Sequence, residues 1–131
     1  MVESCPRCER APLRVHTRSL VRTVGGRRFS TAITIRRCEA CDWSPLPIDA
    51  IEAHEAAVAA QLALFGPATR ETFSFLRHAL RLDVEETARL AELELERTIR
   101  IEQGHERVPL RAWMKLARCV RDRAAAQDDV A

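Results

Sequence analysis

The chain lacks any apolar run approaching the ~20 residues that a membrane-spanning helix requires. Its first residues, Met-Val-Glu-Ser-Cys, carry no basic-then-apolar signal pattern, so the cytoplasm is the expected compartment and no membrane role is expected. It also lacks the motifs HExxH, GxSxG, GxxxxGK[ST] and GxGxxG, and its four histidines (16, 54, 78 and 105) form no spaced cluster. Nothing in the pattern supports an enzyme, and each histidine reads as a surface or half-buried residue. Aromatic residues are only 5% of the chain and Lys115 is the only lysine. No internal repeat and no low-complexity block is present. An odd cysteine count, five, argues against a disulfide framework in a chain of this kind.

Four of those cysteines are the strongest signal. Cys5/Cys8 and Cys38/Cys41 form two C-x-x-C pairs, 29 residues apart. Between them, Leu13, Val15 and Thr17 alternate with Arg14, His16 and Arg18, and Phe29, Thr31, Ile33 and Ile35 alternate with Ser30, Ala32, Thr34 and Arg36. Val24-Gly25-Gly26-Arg27 supplies a two-glycine hairpin turn, because both central residues can take positive φ. The hairpin brings the two pairs together as a closed S4 site. Such a site suits a structural zinc ion, one Zn2+ per chain, and leaves no open position for a substrate water. Iron–sulfur or rubredoxin-type iron is the alternative. A redox C-x-x-C would need a βαβ context that is missing here. Zinc would add on the order of 10 kcal/mol of folding energy to a ribbon with few apolar side chains. Cys119 falls on a helical stripe and reads as a small core residue.

The formal net charge of +2 conceals a segregation. Residues 1–45 hold nine arginines against four acids, residues 46–66 hold three acids and no base, and residues 67–131 hold twelve of each. Pro45-Leu46-Pro47 interrupts the chain. Asp49 then reads as the N-cap of a helix over 50–64, with Ile51, Val58, Leu62 and Phe65 at helical spacing, stopped by Gly66-Pro67. Thr69 to about Leu82 has Phe73, Leu76 and Leu80 on one face. Asp83 with Glu86 forms a capping box for a helix to about Glu92. A further helix runs from about Glu94 to Gln103 and stops at Gly104. Pro109 opens another, with Leu110, Trp113, Leu116, Ala117 and Val120 as its inner stripe. The expected fold is α+β: a β-hairpin zinc ribbon over 1–45, a connecting helix over 46–66, an all-α helix-turn-helix domain over 67–121 and a flexible tail over 122–131.

Within the helical part, Ala88 is small enough for two helices to cross closely. Leu93, Thr98 and Ile101 occupy the positions from which a second helix would turn inward. Arg97, Arg100 and Gln103 share a face, with Arg107 on the following loop, and are the candidate DNA contacts. A solvated face with Arg97 paired to Glu94 and Arg100 to Glu96 is the competing interpretation, and Glu102 reads as structural. The hairpin arginines, with only Phe29 nearby for stacking, suit an acidic protein surface better than nucleic acid.

Ala88, Leu93, Arg100, Ile101, Glu102, Gly104 and Pro109 resemble the phage-repressor (Xre-type) helix-turn-helix. Preceded by a two-C-x-x-C module, the whole chain, over roughly residues 5–120, resembles the MqsA-type antitoxins, also called YgiT-type zinc finger proteins. That resemblance implies a zinc module that binds a toxin protein, and a helix-turn-helix domain that forms a homodimer and represses its operon at a palindromic operator. The sequence departs from the pattern at three places. Glu92 stands where the turn usually has glycine, Glu94 and Glu96 crowd the start of the recognition helix, and Thr98 and Ile99 exchange the usual apolar and polar positions. Glu9 and Asp42 likewise stand where zinc knuckles often carry glycine. A protein-interaction adaptor with a structural ribbon and a vestigial helix-turn-helix is the alternative function.

Overall fold

The computed structural model describes residues 3–130. Two antiparallel strands, β1 (Leu13–Val24) and β2 (Arg27–Cys38), form a single hairpin, and five helices follow. These are α1 (Ile48–Phe65), α2 (Arg70–Ala79), α3 (Val84–Ala91), α4 (Leu95–Glu102) and α5 (Leu110–Val130). The α+β class expected from the sequence is the class observed. Among the described residues no helix is long and apolar enough to cross a membrane.

The chain divides into two compact units. One comprises the cysteine-bearing ends of the hairpin and the start of α1, up to Arg22 and then Phe29–His54. The other takes the hairpin tip, Thr23–Arg28, together with everything from Glu55 onward. The division falls within α1, between His54 and Glu55.

In the first unit, the two-residue turn fixes the register: Val24 lies opposite Arg27, and Leu13 opposite Cys38. Gly25 and Gly26 both have positive φ (59° and 77°), the requirement of this turn. Alternation within each strand does not say which residues of the two strands share a face; the register does. Facing residues share a face, so Ile35 joins His16, and Ile33 joins Arg18. Ile35 is buried and His16 half-buried, whereas Val15 is 70% exposed. A one-residue change of phase turns a whole strand over, and in β1 neither set of residues is apolar enough to decide the phase locally. His54 is also deeper than expected: its ring is buried and its Nδ1 lies 2.8 Å from the Thr31 hydroxyl of β2.

In the second unit, Phe73 and Leu76 of α2, Ala88 and Ala91 of α3, Ile101 of α4, and Ala112, Trp113, Leu116, Ala117 and Val120 of α5 are buried. Three buried threonines close their own hydrogen bonds: Thr72 donates to the Pro67 carbonyl (2.6 Å), Thr87 to Asp83 (2.7 Å) and Thr98 to Glu94 (3.0 Å). A hydroxyl returned to the backbone can be buried without leaving an unsatisfied donor.

Helix boundaries follow local capping. Thr69 caps α2 with Thr72, and Asp83 caps α3 with Glu86 as expected. Helix α1 begins at Ile48, before Asp49, since the Ile51 N–H already donates to the Pro47 carbonyl (3.0 Å). Asp49 therefore sits in the first turn, where its charge suits the helix dipole. Helix α2 stops at Ala79, short of Leu82, because Arg81 takes a left-handed conformation (φ 56°) and Leu82 N–H turns back to the Arg77 carbonyl (3.1 Å). At the other end of the unit α5 continues through the segment 122–130 expected to be a flexible tail; Ala131 lies outside the described residues. Phe65 and Leu110, both expected to face inward, are exposed. The Arg27 guanidinium lies over the Phe65 ring, 6.0 Å from its centre, and donates to the Gly66 carbonyl (2.9 Å).

The hairpin tip is seated against the start of α2. A Cβ on Gly25 would lie 2.5 Å from Thr72 Cγ2, whereas one on Gly26 would meet nothing within 4 Å. Both positions carry the cost of a left-handed non-glycine residue, about 1–2 kcal/mol. Gly25→Ala is therefore expected to cost a further ~1–3 kcal/mol from overpacking, and to lower the thermal midpoint clearly more than Gly26→Ala. Equal midpoints in a melting comparison would contradict the seating of the tip.

Candidate metal centre and helix-turn-helix face

Each C-x-x-C pair is shaped by a backbone turn. Glu9 N–H donates to the Cys5 carbonyl (3.0 Å) and Asp42 N–H to the Cys38 carbonyl (2.8 Å). Glu9 and Asp42 adopt φ of 58° and 62°, the left-handed region that favours glycine. The substitutions noted in the sequence are thus accommodated with the knuckle geometry intact, at the ordinary cost of such residues. Cys5 N–H donates to Ala11 O (3.0 Å) and Cys38 N–H to Trp43 O (2.8 Å), closing each turn.

The hairpin brings all four thiols together. Their sulfurs lie within 4.8 Å of one another, with Cys5 Sγ 3.7 Å from Cys41 Sγ and Cys8 Sγ 3.6 Å from Cys38 Sγ. No pair is bonded as a disulfide. Four sulfurs bound tetrahedrally to one ion at about 2.3 Å would lie roughly 3.8 Å apart, so the spacing and the donor set both fit a metal ion. Cys5 and Cys38 are fully buried and pack with Leu13, flanked by Ala11 and Trp43. Arg14 reaches Glu39 (3.3 Å), and Arg36 pairs with Glu3.

The electrostatics point the same way. Burial raises the Cys5 thiol, but N–H groups of Cys8 and Arg7, with the thiols of Cys41 and Cys38, outweigh it and bring the group down to about 7. The Arg10 N–H is the main influence holding Cys8 below its ordinary value. Cys41 moves oppositely. The Trp43 N–H lowers it, yet burial and the three neighbouring thiols together push it up to about 12. Part of the cluster is prepared to be thiolate, and the remainder resists ionising until a cation joins it.

In the helical unit, α3 and α4 are joined by a tight turn. Glu92 takes the left-handed conformation (φ 56°, ψ 45°), and Leu93 N–H returns to the Ala88 carbonyl (2.8 Å). The turn that usually has glycine is thus made by a glutamate, which Lys115 of α5 pairs with and holds below the usual carboxylate range. Thr98 is buried and Ile99 lies on the open face. Glu102 does prove structural: it accepts from Arg77 Nε (2.6 Å) and Ser74 Oγ (3.0 Å), with the Arg77 and Glu102 side chains only 16% and 13% exposed.

The four residues proposed to touch DNA separate into two groups. Arg97 and Arg100 do not pair with Glu94 and Glu96. Both turn to Glu106, which accepts from Arg97 Nε (2.7 Å) and lies 3.6 Å from Arg100 Nε. Gln103 and Arg107 are exposed and line an open cleft of about 790 Å3 with Ala68, Thr69, Arg70, His105 and Gly104 among its walls. Sequence spacing missed Arg70 and His105 as neighbours, since they lie 35 residues apart in the chain. The only local sign was Gly104, whose missing side chain leaves room for the Arg70 guanidinium.

Compared with known proteins, the chain matches no family model and no curated protein.

Two outcomes follow from these geometries. Cobalt(II) added to the metal-free protein is expected to give intense near-ultraviolet thiolate bands, whose intensity per bound cobalt Cys38→Ala and Cys5→Ala each lower by about a quarter or more and Cys119→Ala leaves unchanged; full intensity in either ligand variant would exclude the four-cysteine centre. Arg97 beside Glu106 holds that carboxyl below its ordinary 4.5, so its ion pairing stabilises the fold above that pH and is lost as the pH falls through the lower folded value. Glu106→Gln should therefore be less stable than the parent at pH 7, with the difference shrinking progressively as the pH falls below 4.5 through the lower folded value, as measured by urea unfolding; a difference that does not depend on pH would contradict the ion pair.

Proposed function

We propose that this protein is a zinc-containing, DNA-binding transcriptional regulator, acting as a type II antitoxin that neutralises a toxin partner and autorepresses its operon as a homodimer. The observation that carries the DNA part is the α3–turn–α4 unit with its exposed second helix and, beside that helix, a cleft gathering Arg70, Gln103, His105 and Arg107. A helix of this kind enters a major groove, and cations beside its C-terminal end suit the adjacent phosphates. The likeness to MqsA-type antitoxins supports the antitoxin role, with the toxin held by the cysteine module. Zinc is the ion proposed for that module, because an all-thiolate tetrahedral set with no open position suits a structural zinc ion. No catalytic role is proposed.

A second proposal, a protein-interaction adaptor, is favoured by two features. The two arginines expected to reach DNA are drawn to Glu106, and the open face of α5 carries exposed Leu110 and Met114 among Arg111, Arg118 and Arg121.

Binding of the full chain to its own promoter, measured at several salt concentrations, separates the two. The regulator should prefer that fragment over random duplex, and Arg107→Ala should weaken binding to every sequence while reducing the slope of log affinity against log salt by about 1. No preference over random DNA would remove the regulator and leave the adaptor. Elemental analysis should return about one zinc per chain; iron in its place would correct the metal.

A further inference from the structure

Helix α4 turns Thr98 and Ile101 fully inward and leaves Leu95, Glu96, Ile99, Arg100 and Gln103 on its open face. Among these, Leu95 is 41% exposed and Ile99 38%. They stand one turn apart, so they form a continuous apolar strip along a helix whose other outward groups are charged or amide.

A single exposed aliphatic residue needs no explanation. Two in register on the helix proposed to read DNA are a different matter, because the major groove offers one apolar feature only, the 5-methyl group of thymine. Arg97, which sequence spacing assigned to base or phosphate contact, is held by Glu106 (2.7 Å). The direct reading is thereby left to the neighbouring face.

We propose that Leu95 and Ile99 read thymine methyl groups, so that the recognised duplex carries an A·T pair opposite each. The inference rests on the DNA-binding function proposed above. It explains the Ile99 departure from the repressor pattern as a change of base preference and not a loss of binding.

Selection of a random duplex library with the full-length protein supplies the recognised sequence. Each thymine in it is then replaced by deoxyuridine, which removes only the methyl group. The parent protein is expected to lose about fourfold in affinity at one or two positions, the value of one buried methylene-sized group. Leu95→Ala and Ile99→Ala should each bind the unmodified duplex about fourfold more weakly and be indifferent to deoxyuridine at the matching position, while remaining folded at the binding temperature as a melting curve checks. An enriched sequence that the parent binds equally well with deoxyuridine throughout overturns the methyl reading alone. So does a penalty that persists in both variants. Failure to enrich any sequence overturns the DNA-binding function and this inference with it.

Discussion

Four cysteine sulfurs held within 4.8 Å of one another cannot all carry charge unless a cation shares the site. That constraint governs the first unit. Its buried cluster consists of little more than Cys5, Cys38 and Leu13, with Cys8, Ala11, Cys41 and Trp43 at the margin. A hairpin with 12-residue strands and one largely open face has too little apolar burial to hold its two ends together. A metal ion held by the four sulfurs would supply the missing cohesion, beside the two turns that Glu9 and Asp42 make in the left-handed conformation. The opposite movements of Cys5, down to about 7, and Cys41, up to about 12, express the same conflict within one cluster.

The helical unit solves a different problem, that of carrying many charges on short helices. Several of its charged side chains are paired across elements: Arg77 of α2 with Glu102 of α4, Lys115 of α5 with Glu92 of the turn, Arg97 and Arg100 with Glu106 of the following loop. The Arg77–Glu102 pair, with both side chains largely covered, constrains how α2 and α4 meet more than it adds net stability. The others, each with one well-exposed partner, tie the turn to α5 and the far end of α4 to the following loop.

What the sequence made legible was whatever is decided within a few residues. The C-x-x-C spacing, the Gly25-Gly26 turn, the Asp83–Glu86 capping box and the inward positions Ala88, Thr98 and Ile101 all belong to that class. The face of β1 did not, because its phase depends on pairing with β2, which sets His16 opposite Ile35 and leaves the more apolar Val15 exposed. The partners of Arg97 and Arg100 were misassigned for a related reason. Helical spacing offers Glu94 and Glu96, and only the chain's return beyond Gly104 brings Glu106 nearer. Arg81 and Glu92 adopt a conformation normally signalled by glycine, so one helix end, that of α2, was placed too late.

The metal centre can be examined at the atom that matters. X-ray absorption at the zinc edge of the purified protein should show a single shell of four sulfurs at about 2.3 Å. A first shell containing nitrogen or oxygen, or fewer than four sulfurs, would contradict the four-cysteine centre on which the first unit depends.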